Sequence, residues 1–304
     1  MINMYIKNNF LASSIAILLS ASLITACSEN NSDNVNFDVE EEMSSNTASM
    51  LQDVFYQIPA PSEIFEIMKE VKEKGVGTDI LNPTDNIKNY LDNKSKSLNF
   101  GIYISDLLYT SIFNYGSETL SYFATVKKLA DDLGLSSSID ENTFSKVEDN
   151  IENSDSLTTI SNDLFYSASE NLEKNERGAT LALVIAGGWV ESIYLATQVF
   201  PEFDENNEAI QRIADQKLTY ENLEEYLKMY SDDPHVNDVL NTLKPLGDVF
   251  LGLEEKEVQS TKASKSNNVL VLSGGAKVIM TKADYTKIKE ETAKIRQQFI
   301  QANI

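Results

Sequence analysis

The chain is predicted to be all-α, a multi-helix array or bundle with a small C-terminal β-hairpin and a final helix. Three observations predict this. Apolar residues recur at three- and four-residue intervals over most of the chain beyond about residue 60. Two stretches, Leu98–Phe113 and Ala179–Phe200, are apolar nearly all round and therefore read as central, buried helices. The convincing β pattern is confined to two short aliphatic runs near the C-terminus.

Pro61 stands at a helix start, Ile64, Phe65, Ile67, Met68 and Val71 form its broad apolar face, and Gly75 marks its stop. The next helix is expected near Thr84, behind Asn82-Pro83, and the first all-apolar helix follows it. Ser117 is read as the cap of a successor ended by Gly134, and Asp140 and Ser154 as caps of two more. The helix after Ser154 carries Leu157, Ile160, Leu164, Phe165, Ala168 and Leu172 on one face, and Gly178 closes that region. Pro201 stops the second all-apolar helix. Helices are then expected near Asn207–Lys217, Glu221–Tyr230 and Val236–Leu253, the last kinked by Pro245. Val269–Leu272 and Lys277–Met280, joined through Gly274-Gly275, read as a hairpin. Thr281 and Asp284 form a capping pair for a final helix bearing Tyr285, Ile288, Ile295 and Phe299.

The N-terminus has a different character. Lys7 precedes a run from Phe10 to Ala26 without a charged side chain, the layout of a signal-peptide apolar region. Serines dilute the run and no basic cluster follows it, which disfavours a retained membrane span. It ends in Leu23-Ile24-Thr25-Ala26-Cys27, which resembles the lipobox of bacterial lipoproteins: an aliphatic residue, two small residues, and a cysteine that receives diacylglycerol. Cys27 is the sole cysteine, so no intramolecular disulfide explains it in an exported chain. Lipidation does, with an ordinary signal peptide and a chance cysteine as the alternative. Each acyl methylene buried in lipid contributes about 0.8 kcal/mol and stable anchoring takes two chains, which a diacylglyceryl thioether supplies. Ser28 rather than Asp after the cysteine points, by analogy with Gram-negative lipoprotein sorting, to the outer membrane.

The expected organisation is a signal peptide at 1–26, a disordered acidic tether at 27–47, and a single helical domain at 48–304. The tether, which includes Glu40-Glu41-Glu42, has too little apolar surface to fold. Its acidity after the lipidated cysteine resembles the export tag that carries some lipoproteins of Bacteroidota-type bacteria to the cell surface. The leader holds one basic residue and no acid, so the chain from Cys27 carries 24 basic and 47 acidic residues, a net charge of −23. An anion of that size repels nucleic acid and anionic lipid heads, so no nucleic-acid partner is expected.

Gly101–Phe113 and Gly188–Phe200 align without gaps, pairing Gly101 with Gly188, Ser105 with Ser192, Leu108 with Leu195, Thr110 with Thr197 and Phe113 with Phe200. A duplicated unit (about 84–165 and 170–253) would set two equivalent helices side by side; chance similarity of apolar helices is the alternative.

Several chemistries are set aside by absence. With His235 the only histidine and Cys27 committed to lipid, Cys/His zinc sites and a Cys–His nucleophilic pair are excluded. Dinucleotide, P-loop and nucleophile-elbow motifs are missing. No cofactor and no metal is expected, and no catalytic residue is assigned. His235, after Asp232-Asp233-Pro234, is read as a residue at a helix entry, and Asp204–Glu208 as a solvated loop without the spacing of a calcium site. Asp106 and Glu191 stand out because each lies in an all-apolar helix, where a carboxylate must be paired or line a pocket. Tyr103 shares a helical face with Asp106, whereas Trp189, two residues before Glu191, does not share its face. These four residues are the candidates for a ligand site or a buried polar network, the latter with Arg177 or a tyrosine as partner. Gly187-Gly188 is read as a close helix contact, or as the floor of a small-ligand cleft.

The segments Leu98–Leu107, Gly187–Ser192 and Ile58–Glu63 are similar to segments of a group of uncharacterised all-helical lipoproteins of Bacteroidota-type bacteria. That resemblance implies the fold class and the anchor, and it assigns no activity and no functional residue. The expected role is a lipid-anchored envelope protein that binds another envelope protein or a small ligand without catalysis. The alternatives are a carboxylate-dependent enzyme and a small-ligand binder with a pocket near Asp106 and Glu191.

Overall fold

In a computed structural model, the described residues are 62–71, 75–139, 142–258, 264–266, 269–271 and 275–301. The leader, Cys27, the acidic tether, Pro61 and Asp140 lie outside them. The helices are α1 (Ser62–Val71), α2 (Asn93–Ile112), α3 (Gly116–Asp132), α4 (Thr143–Asp149), α5 (Ser154–Lys174), α6 (Gly178–Val199), α7 (Glu208–Met229), α8 (Pro234–Leu251) and α9 (Lys282–Ile300). Between α8 and α9 lie strands β1 (Glu254–Val258), β2 (Ser264–Ser266), β3 (Val269–Val271) and β4 (Gly275–Ile279). The all-α class with a small hairpin region and a closing helix is therefore what the chain adopts.

The two all-apolar segments form the centre. Helices α2 and α6 make the most extensive contact in the fold; α3 and α5 lie against α2, α7 and α8 against α6, and α9 against both. Nearly every residue of α6 is buried. Among the described residues it alone is long and apolar enough to cross a membrane, and its burial inside the fold identifies it as a core helix.

Local chemistry explains most element boundaries, and several differ from the sequence reading. The helix expected near Thr84 is a short 3₁₀ helix, Thr84–Asn89, rather than an α-helix. The long helix begins at Asn93 because Asp92 caps it, accepting from the Ser95 amide at 2.9 Å. Helix α3 starts one residue before Ser117 and has no side-chain cap, while Gly134, at φ +72°, ends it as expected. Asn153, not Ser154, caps α5. Gly178 opens α6 instead of closing the preceding helix, which ends at Lys174. The separate helices expected at Asn207–Lys217 and Glu221–Tyr230 are one helix, α7, because buried Thr219 and Tyr220 continue the packed face. Asp233 caps α8, accepting from the amides of His235 and Val236, with Pro234 at its first turn and Pro245 inside. His235 is exposed at this helix entry. The Thr281–Asp284 capping box of α9 forms in both directions.

The hairpin segments are strands, but their partners differ from the expected Gly-Gly turn. Strand β3 pairs with β2, with Ser264 opposite Val271, and β4 pairs with β1, with Glu254 opposite Ile279 and Val258 opposite Gly275. The outer and inner ladders are thus nested. The sequence reading missed β1 because Glu254-Glu255-Lys256-Glu257 has no apolar alternation; its residues with described burial are exposed at an edge.

Candidate functional site

The central crossing explains how two acids from distant segments meet. A Cβ on Gly101 would stand 1.9 Å from the Val184 carbonyl oxygen, and one on Gly187 would stand 2.0 Å from that of Leu98. Backbone packs on backbone there, which only glycine permits. One turn further on, Ser105 Oγ faces Ser192 Oγ at 3.3 Å, and both hydroxyls donate to the Gly188 carbonyl, at 3.0 and 2.8 Å. Gly101 meets Gly188 and Ser105 meets Ser192, so positions that align in the sequence are opposed in space. The adjacent residues Asp106 and Glu191 are then close enough for the Glu191 charge to act on Asp106, and each is 0 % exposed.

Helix α9 supplies the cation. Arg296 donates from Nε to Glu191 Oε2 at 2.7 Å and from Nη2 to Oε1 at 2.9 Å, a two-pronged pair, and its Nη2 also donates to the Ile80 carbonyl at 3.1 Å. Its guanidinium carbon lies 4.0 Å from the centre of the Tyr194 ring. Burial lowers the Arg296 pKa, but the Glu191 carboxylate outweighs that and raises it. Asp106 is held differently. Its Oδ2 accepts from the Asn82 amide at 3.2 Å, whereas its Oδ1 has no donor. Burial, then the Glu191 charge, hold its carboxyl well above the ordinary range, against the pull of Arg296.

The segment from Gly75 to Leu91 straps over this cluster, and Asn82 is its pin. Asn82 is fully buried; its side-chain amide donates to Tyr90 Oη at 3.0 Å and to Asn99 Oδ1 at 3.2 Å, and its carbonyl accepts from Tyr122 at 3.1 Å. Tyr103 donates to the Pro83 carbonyl at 2.8 Å. Asn99 and Tyr90 in turn donate to the Phe299 and Ile300 carbonyls at the end of α9, at 2.9 and 3.3 Å. Burial raises the hydroxyl pKa of Tyr90, Tyr103 and Tyr122, so all three stay protonated donors at ordinary pH.

Of the four candidate residues, Asp106 and Glu191 are brought together and Tyr103 borders them, bonded to the strap. Trp189 is not part of the cluster. It points to the other side of α6, against Tyr220 and Phe250, with its indole N–H donating to Gln216 at 3.2 Å. This follows from the two-residue spacing, which turns Trp189 about half-way round the helix from Glu191. Arg177 does not reach the acids either; it donates to the Leu133 carbonyl at 2.8 Å. The residues that sequence reading missed are Arg296 and Asn82. Arg296 is one of only three arginines and sits beside the apolar face of α9, the one signal available for it. Asn82, before Pro83, reads in the sequence as a helix-entry residue. A ligand cleft floored by Gly187 and Gly188 is also corrected, because the backbone of α2 occupies that space.

Three grooves among the described residues lie away from the cluster. One of about 580 Å³ runs along Lys69, Ile112, Asp155 and Thr158, and smaller ones lie beside Lys146 and Asp163 and beside Phe203 and Lys277. None is lined by Asp106, Glu191 or Arg296. The Asp204–Glu208 loop is a turn in which Asp204 accepts from the Asn206 amide at 2.9 Å. A carboxylate pair that works on a substrate needs space for a substrate or water between or beside the two groups. Here protein surrounds them, and the cluster joins helices.

No family model, no curated protein and no solved structure matches this chain.

Proposed function

We propose that the chain is a cell-envelope lipoprotein, anchored by lipid on Cys27 and directed to the outer membrane, whose helical domain acts by binding a partner rather than by catalysis. The observation that carries the reading is the Leu23–Cys27 lipobox at the end of an uncharged apolar run, with Cys27 the sole cysteine. The acidic chain that follows supports it, since a net charge of −23 beyond Cys27 keeps a domain soluble and clear of anionic headgroups. The buried acids Asp106 and Glu191 join helices, which fits a structural role for them within that domain.

The experiment is expression of the full chain and of Cys27→Ser in a Gram-negative host, with intact mass and membrane fractionation as readouts. The wild-type chain is expected to lose residues 1–26, gain the mass of a diacylglycerol and an amide-linked acyl chain, and sediment with membranes. The variant is expected to remain unlipidated. A wild-type chain that keeps its leader, or a variant that matures and fractionates unchanged, overturns the proposal.

A further inference from the structure

We propose that α9 and the Gly75–Leu91 strap are latched onto the α2–α6 pair by one proton held between Asp106 and Glu191, and that losing this proton releases both. The argument begins with charge. The Nε and Nη2 groups of Arg296 are committed to Glu191 and to the Ile80 carbonyl, so the guanidinium balances a single carboxylate. With both acids ionised, the cluster would carry an uncompensated negative charge at a place where Asp106 and Glu191 are 0 % exposed. With one proton it is neutral.

Hydrogen bonding gives the same answer. An ionised Asp106 would have a single donor, the Asn82 amide, and a buried Oδ1 with none. A buried carboxyl oxygen without a donor is better accommodated as a hydroxyl, which can itself donate. Since Arg296 grips Glu191, the proton belongs on Asp106. The raised pKa of Asp106, set by burial and then by Glu191, agrees with this placement. The other titratable groups that act on Asp106 are Tyr103 on its own helix, Tyr122 from α3, Tyr194 from α6, Tyr90 from the strap and Arg296 from α9. The tyrosines are protonated donors, so none compensates a second carboxylate.

The same atoms hold the moving parts. Beyond its attachment at Val76 and Gly77 to Tyr109 and Tyr115, the strap is fixed within four residues at Ile80 by Arg296, at Asn82 by Asp106 and Tyr122, and at Pro83 by Tyr103. The end of α9 is fixed by Arg296 on Glu191 and by Asn99 and Tyr90 on its last carbonyls. Repulsion between two ionised acids therefore acts on both attachments at once. The sign follows from linkage: opening lets Asp106 ionise, so it releases a proton and becomes more favourable as pH rises. The slope is on the order of tenfold in the opening constant per pH unit, between the ordinary carboxylate value and the raised one.

The test is hydrogen–deuterium exchange on the full mature chain and on Asp106→Asn, corrected for intrinsic exchange, from about pH 5 to about pH 9. The asparagine amide can donate to Glu191 as the protonated acid does, and it cannot ionise. The opening constant of the strap and α9 amides is expected to rise in the wild type relative to the variant by on the order of tenfold per pH unit, while amides of α7 show no such difference. A ratio that stays flat with pH overturns the latch. Should the variant not fold, the infrared spectrum of the wild-type chain decides: a protonated-carboxyl band at neutral pH, lost together with strap and α9 protection at higher pH, is expected. Its absence at neutral pH, or its loss without loss of protection, overturns the proposal. The latch is independent of lipid on Cys27, so the two proposals fail separately.

Discussion

Gly101 on α2 lies so close to Val184 on α6 that a Cβ added to it would stand 1.9 Å from the Val184 carbonyl oxygen. That oxygen belongs to the backbone of the most buried helix and cannot turn aside. Gly101→Ala is therefore expected to force the central pair apart, at a cost of about 3 kcal/mol or more, the upper range for overpacking. At Gly188 the nearest atom would be 3.3 Å away, so Gly188→Ala should cost far less. Urea denaturation of the two variants checks the contrast, and equal losses would contradict the geometry.

Removing Arg296 leaves the Glu191 charge buried. Arg296→Met is expected to destabilise by about 3–5 kcal/mol, a large share of the roughly 5–15 kcal/mol that holds a domain folded. Replacing Glu191 and Arg296 together by Met removes the orphan charge along with the cation and should recover most of that loss. A double variant no better than Arg296→Met would mean that the pair contributes through shape alone.

The pH dependence has a definite sign. The Asp106 carboxyl is raised in the fold, so the stability linked to its proton is fully present below the unfolded value, near 3.8, and is lost as pH rises through the folded value. Over that window, Asp106→Asn is expected to gain on the wild type by about 1.4 kcal/mol per pH unit. Denaturation midpoints measured in parallel for both chains decide it; an advantage that shrinks as pH rises would reverse the assignment.

A cap provides the contrast between a general loss and one that runs through the cluster. Thr281 accepts from the Asp284 amide at 3.3 Å while Asp284 accepts from the Thr281 amide at 3.0 Å. Thr281→Ala is expected to cost about 1 kcal/mol. Its pH profile should match the wild type, because the start of α9 lies several turns from Arg296. Denaturation of this variant at two pH values tests both statements.

Asp106 and Glu191 were legible as a pair to be explained because a charge inside an all-apolar helix is costly anywhere it lands. Their cation was not legible, since Arg296 is 105 residues from Glu191 in sequence and sits on a helix whose pattern is ordinary. Asn82 was hidden for a related reason. An Asn-Pro step reads locally as a turn, and only burial under α2 and α3 makes its side chain a junction. The nested hairpin was misread because Gly274-Gly275 is a strong local turn signal, whereas the pairing of β1 with β4 joins residues about twenty apart.

By itself the sequence determined the helical class, the two central helices, the glycine step where they touch, the Thr281–Asp284 capping box, the Gly134 stop and the expectation of a lipid anchor at Cys27. These rest on periodicity, backbone conformation and short motifs, which act within a few residues. The tertiary structure alone decided that Asp106 and Glu191 lie in one cluster, that Arg296 rather than Arg177 pairs with Glu191, and that a strap and the last helix share that cluster. Burial and ion pairing depend on which surfaces meet, and that is set by the packing of distant helices.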